Sequence, residues 1–211
     1  MKQRTSSLFA IGILALALTT SSVYANNEVT GPVTYRTTDQ SAPKKIIISG
    51  NVEVTLVQDH ESKKLYTNDG TAKARVYATD DAIYVSTKKN SETAKITLYV
   101  GNVYRIDVAG NAVVNTKNTV NAQHLQIIIQ DNAKAEISSN TESLYTKLSN
   151  ESALKLNGTT QLHAVSTNEL ASLNTKNFKA AKVLITPKLN FLQKSAMSNS
   201  KFNPSPAPKA S

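Results

Sequence analysis

The chain has 211 residues, with 24 Lys and Arg against 15 Asp and Glu and neither Cys nor Trp, a length that suits one or two domains with a substantial core. Lacking cysteine, it has no disulfide scaffold, thiolate metal site, thiol nucleophile or lipid-bearing cysteine. Stability must therefore come from packing and backbone pairing.

Residues 1–25 read as an export signal. Lys2 and Arg4 precede an apolar run from Leu8 to Leu18, and Val23-Tyr24-Ala25 offers a small-residue cleavage site. The run is too short to span a bilayer as a helix, which takes about 20 residues. Cleavage after Ala25 leaves 22 basic against 15 acidic groups, a formal charge of +7, carried by 19 Lys and 3 Arg. Lysine is a hydrated point charge rather than a bidentate fork, and the pairs Lys44-Lys45, Lys63-Lys64 and Lys88-Lys89 have no aromatic stacking platform around them. Nucleic-acid binding is therefore not expected. The expected location is outside the cytoplasm, in the periplasm, on the cell surface or in the medium, with no transmembrane segment in the mature chain.

Residues 26–43 form a polar lead-in interrupted by Pro32 and Pro43. A single all-β domain is expected from 44 to 186. Ile46 and Ile48, then Val52, Val54 and Leu56, alternate with polar residues around a turn at Ser49-Gly50-Asn51. Further strands are expected at 63–67, 73–78, 82–86 and 95–100, with Asn68-Asp69-Gly70 as a hairpin turn.

From about residue 103 the pattern repeats every 19 residues or so. Ala112, Ala133, Ser152 and Ala171 form one column. Two positions on stand Val114, Ala135, Leu154 and Leu173, and two further on Thr116, Ile137, Leu156 and Thr175. A second set runs through Ile106, Leu125, Leu144, Leu162 and Ala181, followed by Val108, Ile127, Thr146, Ala164 and Val183. Between the sets lie Asn118, Asn140, Asn157-Gly158 and Asn177. With 20 Asn and only 7 Gly in the chain, asparagine is expected to take the left-handed corners. A strand pair of this kind buries its inner face only by stacking on the next, about 4.8 Å away. The fold expected is an all-β, parallel β-helix-like β-solenoid behind a strand-rich N-terminal half. A rival helical reading of 141–156 puts Leu144, Leu148 and Ser152 on one face, but the repeat register continues through that segment.

With these columns in place, the chain resembles the Bacteroidetes family described as putative auto-transporter adhesin, head GIN domain. The resemblance rests on Val52-Glu53-Val54-Thr55-Leu56-Val57-Gln58 after Ser49-Gly50. It rests also on Val108-Ala109-Gly110-Asn111-Ala112, on Gln130-Asp131-Asn132-Ala133 and on Ser149 to Gly158. It covers roughly 44–186, and asparagine often stands here where the family has glycine. It implies an exported β-solenoid-like domain and brings no catalytic residues with it.

The residues offer little chemistry. His60, His124 and His163 form no zinc triad or Ser-His-Asp arrangement, and each reads as a lone surface histidine. An outward column of Asn115, Glu136, Lys155 and Asn174 is the nearest candidate for acid-base work on a polysaccharide, and reads more simply as a cross-strand ion pair. Asp107, Asp131 and Glu151 lie near turns without clustering. Calcium-binding nonapeptides and phosphate-cradling glycine loops are missing, so no cofactor and no metal is expected. The preferred function is a non-catalytic, adhesin-like binding module contacting an anionic polysaccharide or another envelope component. A polysaccharide-active enzyme and a structural or envelope-stress accessory with a strand-edge protein partner are the alternatives. Residues 187–211 form a Pro-, Ser-, Asn- and Lys-containing tail, largely disordered, in which Leu189, Phe191 and Leu192 could cap the solenoid.

Overall fold

The structure, a computed structural model, describes residues 33–35, 44–61, 64–68, 73–88 and 90–186. The export signal, most of the lead-in and the tail lie outside these residues. Among them there is no helix, and hence none long and apolar enough to cross a membrane. The strands are β1 (Val33–Tyr35), β2 (Lys45–Gly50), β3 (Val52–Gln58), β4 (Lys64–Asn68), β5 (Ala74–Ala78), β6 (Ala82–Thr87) and β7 (Ala94–Val100). They continue with β8 (Arg105–Gly110), β9 (Val113–Thr116), β10 (Val120–Ile129), β11 (Lys134–Leu148), β12 (Ala153–Thr167) and β13 (Ser172–Ile185). The protein is all-β, and these thirteen strands join in one sheet that curls as a half-barrel.

The long strand β11 shows how the sheet is organised. Its first part pairs in parallel with β9, which leads on to β3 and β7. Its later part pairs in parallel with β10, which leads on to β8, β2 and β6. Each rung therefore contributes one segment to each branch, and inward residues from both branches meet in one core, including Val54, Val114 and Ile137 from one and Ile48, Ile127 and Leu144 from the other. The rungs are not stacked in chain order. The β2–β3 rung sits between the β8–β9 rung and the β6–β7 rung, which comes later in the chain than β2–β3.

The expected strands in 44–100 are present to within a residue or two. The turn expected at Asn68-Asp69-Gly70 is not a hairpin, because β4 lies antiparallel on β7 while β5 lies antiparallel on β6. The segment 141–156 is strand on both sides of a short link, which removes the helical reading.

The 19-residue repeat appears as register. Lys134 pairs with Ala153, and Leu148 with Thr167. Side chains bond across rungs at the same interval: Thr141 to Thr160, Thr159 to Asn140, Asn150 to Asp131, Gln123 to Glu142 and His124 to Ser143. The column Val114, Ala135, Leu154 and Leu173 is confirmed. The second column set is corrected. Ile106 faces Ile127 rather than Leu125, and the inward residue across from Leu144 is His163, which faces Val183 in turn. The β11–β12 register holds at 19 along the whole rung, so bringing Leu162 inward would need a one-residue slip that turns every neighbour over. His163 is accordingly buried, 2% exposed, where a surface histidine was expected.

The corners are corrected too. Asn140, Asn157 and Asn177 lie within strands, because the backbone ladder bends there without breaking. Left-handed backbone does occur in the expected Asn157-Gly158 corner, at Gly158, and otherwise at the opposite corner, at Gly50, Gly110, Asp131 and Asn150, and at Asn90. Asp131 Oδ2 accepts from the Gly110 amide, and Asn150 Nδ2 donates to Asp131 Oδ1.

Candidate functional site

Alternation in the β3–β7–β9–β11–β12–β13 branch turns one side chain outward from each strand at a shared level. The pairings Thr67–Thr97, Thr97–Thr55, Thr55–Asn115, Asn115–Glu136, Glu136–Lys155 and Lys155–Asn174 make an unbroken row of seven polar residues. At about 4.8 Å per strand the row is roughly 29 Å long. The predicted column Asn115, Glu136, Lys155 and Asn174 is therefore assembled, and three threonines extend it. Those threonines escaped the sequence reading because β3 and β7 fall outside the 19-residue repeat.

A second outward row runs beside it through Lys95, Glu53, Val113, Lys134, Ala153 and Ser172. Two shallow depressions follow the two rows. One of about 310 Å³ is lined by Glu53, Thr55, Thr67, Asn68, Lys95, Ile96 and Thr97. The other, about 260 Å³, is lined by Asn115, Lys134, Glu136, Lys155, Ser172 and Asn174 together with the apolar Val113, Ala135, Ala153 and Leu154.

Lys155 Nζ lies 2.7 Å from Glu136 Oε1, and Asn157 Nδ2 donates to the same oxygen at 3.2 Å. These bonds favour the ionised carboxyl and hold Glu136 below the usual carboxylate range, Lys155 contributing most. A carboxyl kept ionised is a poor general acid, and Lys155 already donates to that carboxylate. Glu136 is the one acid of this row, and Glu53 stands in the row beside it. The groups along the row can form hydrogen bonds and attract charge at a surface.

The remaining candidates stay apart. His60 and His124 are exposed and His163 is in the core, and no cluster of metal-ligating side chains exists among the described residues. Asp107 is engaged by Arg105 at 2.8 Å and Lys45 at 3.6 Å on the other branch.

A crystal structure described as that of a putative adhesin from Bacteroides fragilis has a similar fold. Its TM-score is 0.57 and its identity 18%, over 72% of this chain and 75% of that one. No curated protein sequence matches. The family model described as "Putative auto-transporter adhesin, head GIN domain" matches residues 42–187, and the chain belongs to that family.

Proposed function

We propose that this protein is an exported, non-catalytic, adhesin-like domain whose outward polar rows bind an anionic envelope or extracellular polysaccharide. Family membership supports the adhesin-like role, and the similarly folded Bacteroides fragilis protein carries an adhesin name as well. The observation that carries the ligand class is the unbroken row from Thr67 to Asn174, flanked by Lys95 and Lys134. Hydroxyl, amide and ammonium groups at strand spacing match the hydroxyls and carboxylates of an extended acidic glycan. A broad polar face of shallow depressions fits a chain lying across it better than a small molecule enclosed within it.

The same reading takes the rungs as a β-solenoid, supported by the parallel 19-residue register from β10 to β12 and by the core shared between the two branches. Retention of the protein on acidic and neutral polysaccharide columns, at low and high salt, tests the ligand class. Retention on the acidic matrix should fall steeply with salt, because the screening length shrinks to about 3 Å at 1 M. Salt-independent retention, or none, overturns the charge argument. New reducing or unsaturated sugar ends in the eluate would make the protein a polysaccharide-active enzyme.

A further inference from the structure

The two branches of the sheet turn outward faces of different chemistry. On the β3–β7–β9–β11 branch, Lys95 is paired with Glu53 and Lys155 with Glu136. On the other branch, the pairings Tyr77–Tyr84, Tyr84–Ile47, Ile47–Asp107, Asp107–Ile128 and Ile128–Lys147 make an outward row across β5, β6, β2, β8, β10 and β11. At strand spacing the row is about 24 Å long. Beside it runs a second row of Lys45, Arg105, Gln126 and Tyr145. The two rows set Lys45, Arg105 and Lys147 against a single acid, Asp107, so this face is positive. Tyr84, Ile47, Ile128 and Tyr145 are half-buried on it.

Arg105 stands at the centre of the face. Its Nε donates to Asp107 Oδ1 at 2.8 Å and to Oδ2 at 3.1 Å, and Lys45 Nζ lies 3.6 Å from Asp107 Oδ2. Asp107 thus holds the guanidinium by its inner nitrogen, while the side chain stays 33% exposed. The two terminal NH2 groups make no hydrogen bond to the described residues. A planar fork anchored in this way presents paired donors of the shape that a carboxylate accepts, which a lysine cannot do.

We infer that this face docks an acidic protein segment that carries aromatic or aliphatic side chains beside its carboxylates. Arg105 and Lys45 take a carboxylate, and Ile47, Ile128 and Tyr145 cover the apolar groups next to it. Tyrosine and arginine are the residues that protein interfaces favour, and a charged fork set among apolar side chains is the usual make-up of their strongest contacts. The excess of cations selects a partner of opposite charge. The inference concerns the branch opposite the row from Thr67 to Asn174 and does not depend on the polysaccharide reading.

The same residues argue against other occupants. Ile47 and Ile128 flank Asp107 on either side, and aliphatic groups give the hydroxyls of a sugar no hydrogen bond. The Tyr77 ring is already engaged, stacked on Tyr84 at 4.6 Å between centres with the Arg75 guanidinium 5.3 Å from its own centre. A second copy in a two-fold contact would set the same cations against one another, with one Asp107 from each side to answer them.

A labelled random copolymer of glutamate and tyrosine serves as the probe, with polyglutamate and polygalacturonate of similar length beside it, and fluorescence anisotropy reads binding to the whole chain. The copolymer should bind saturably and more tightly than polyglutamate. Arg105→Gln should weaken it by a factor of about 5 or more, and Lys134→Gln, the same change of charge on the opposite face, by less than about 2. Ile128→Ser, which alters no charge, should weaken it about threefold or more. Lys147→Gln replaces Arg105→Gln if that variant fails to fold. Equal losses from Arg105→Gln and Lys134→Gln would reduce the effect to general attraction, and an inert Ile128→Ser would leave charge alone. Polygalacturonate binding as tightly with the same dependence on Arg105 would give the face to a glycan. A dimer of the free protein that Arg105→Gln dissociates, seen by sedimentation velocity, would give it to a second copy. Each of these results, or the lack of saturable binding, overturns the proposal.

Discussion

His163 Nε2 lies 3.0 Å from Thr146 Oγ1 inside the core, with the imidazole set edge-on against Phe178 at 5.4 Å between ring centres. Burial lowers the His163 pKa below its ordinary value, because the charged form loses its water. In the unfolded chain this histidine titrates near 6.5. Above that pH both states hold it neutral. As the pH falls through about 6.5 and below, the unfolded state takes up a proton that the folded state resists, and stability is lost. Urea unfolding midpoints measured between pH 8 and pH 5.5 should therefore fall, and His163→Gln should flatten that slope.

Gly158 has φ +109, and a Cβ there would run into the carbonyl oxygen of Ser139 on the preceding rung. Gly158→Ala should destabilise the protein by on the order of 2 kcal/mol or more, since both the backbone angle and the space oppose it. Thermal or urea denaturation measures the loss. A variant as stable as the parent would contradict the corner geometry.

Leu154 and Lys155 are adjacent in sequence and face opposite ways, Leu154 being buried between Ala135 and Leu173. Leu154→Asp should cost more than ~4 kcal/mol, because it leaves an unpaired charge in the core. Lys155→Asp sets two carboxylates side by side on an exposed face and should cost about 1 kcal/mol or less. Circular dichroism melts of the two variants should differ widely.

Lys134 is exposed on the face proposed to bind glycan, between Val113 and Ala153. Lys134→Glu should weaken retention on acidic polysaccharide by a factor of about 2 to 5 at low salt and leave the melting temperature almost unchanged. Equal retention of both proteins would remove this face from the interaction.

Export can be read from the protein's own terminus. Mass spectrometry of the protein recovered outside the cytoplasm should find residue 26 first. An intact Met1 on a membrane-bound species would show that the apolar run is retained.

The amino-acid sequence by itself determined the all-β class, nearly every strand in 44–100 and the 19-residue interval of the later half, because alternation and column composition are local properties that a core imposes directly. It also determined the column through Val114, Ala135, Leu154 and Leu173 and the pairing of Glu136 with Lys155. Tertiary structure alone decided the order of the rungs, which places β2–β3 between two later pairs and thereby brings Thr55 and Thr97 into line with Asn115. It also decided that His163, not Leu162, points inward. Side-chain polarity favours the leucine, but the hydrogen-bond ladder between β11 and β12 holds a whole rung in one register, and the gain from burying a single leucine does not offset slipping the rest. The corner at Gly158 was legible in the sequence, but the left-handed asparagines were misplaced for a related reason. Asparagine tolerates that conformation wherever it occurs, and only the path of the chain between the two branches selects Asp131 and Asn150 over Asn140 and Asn157.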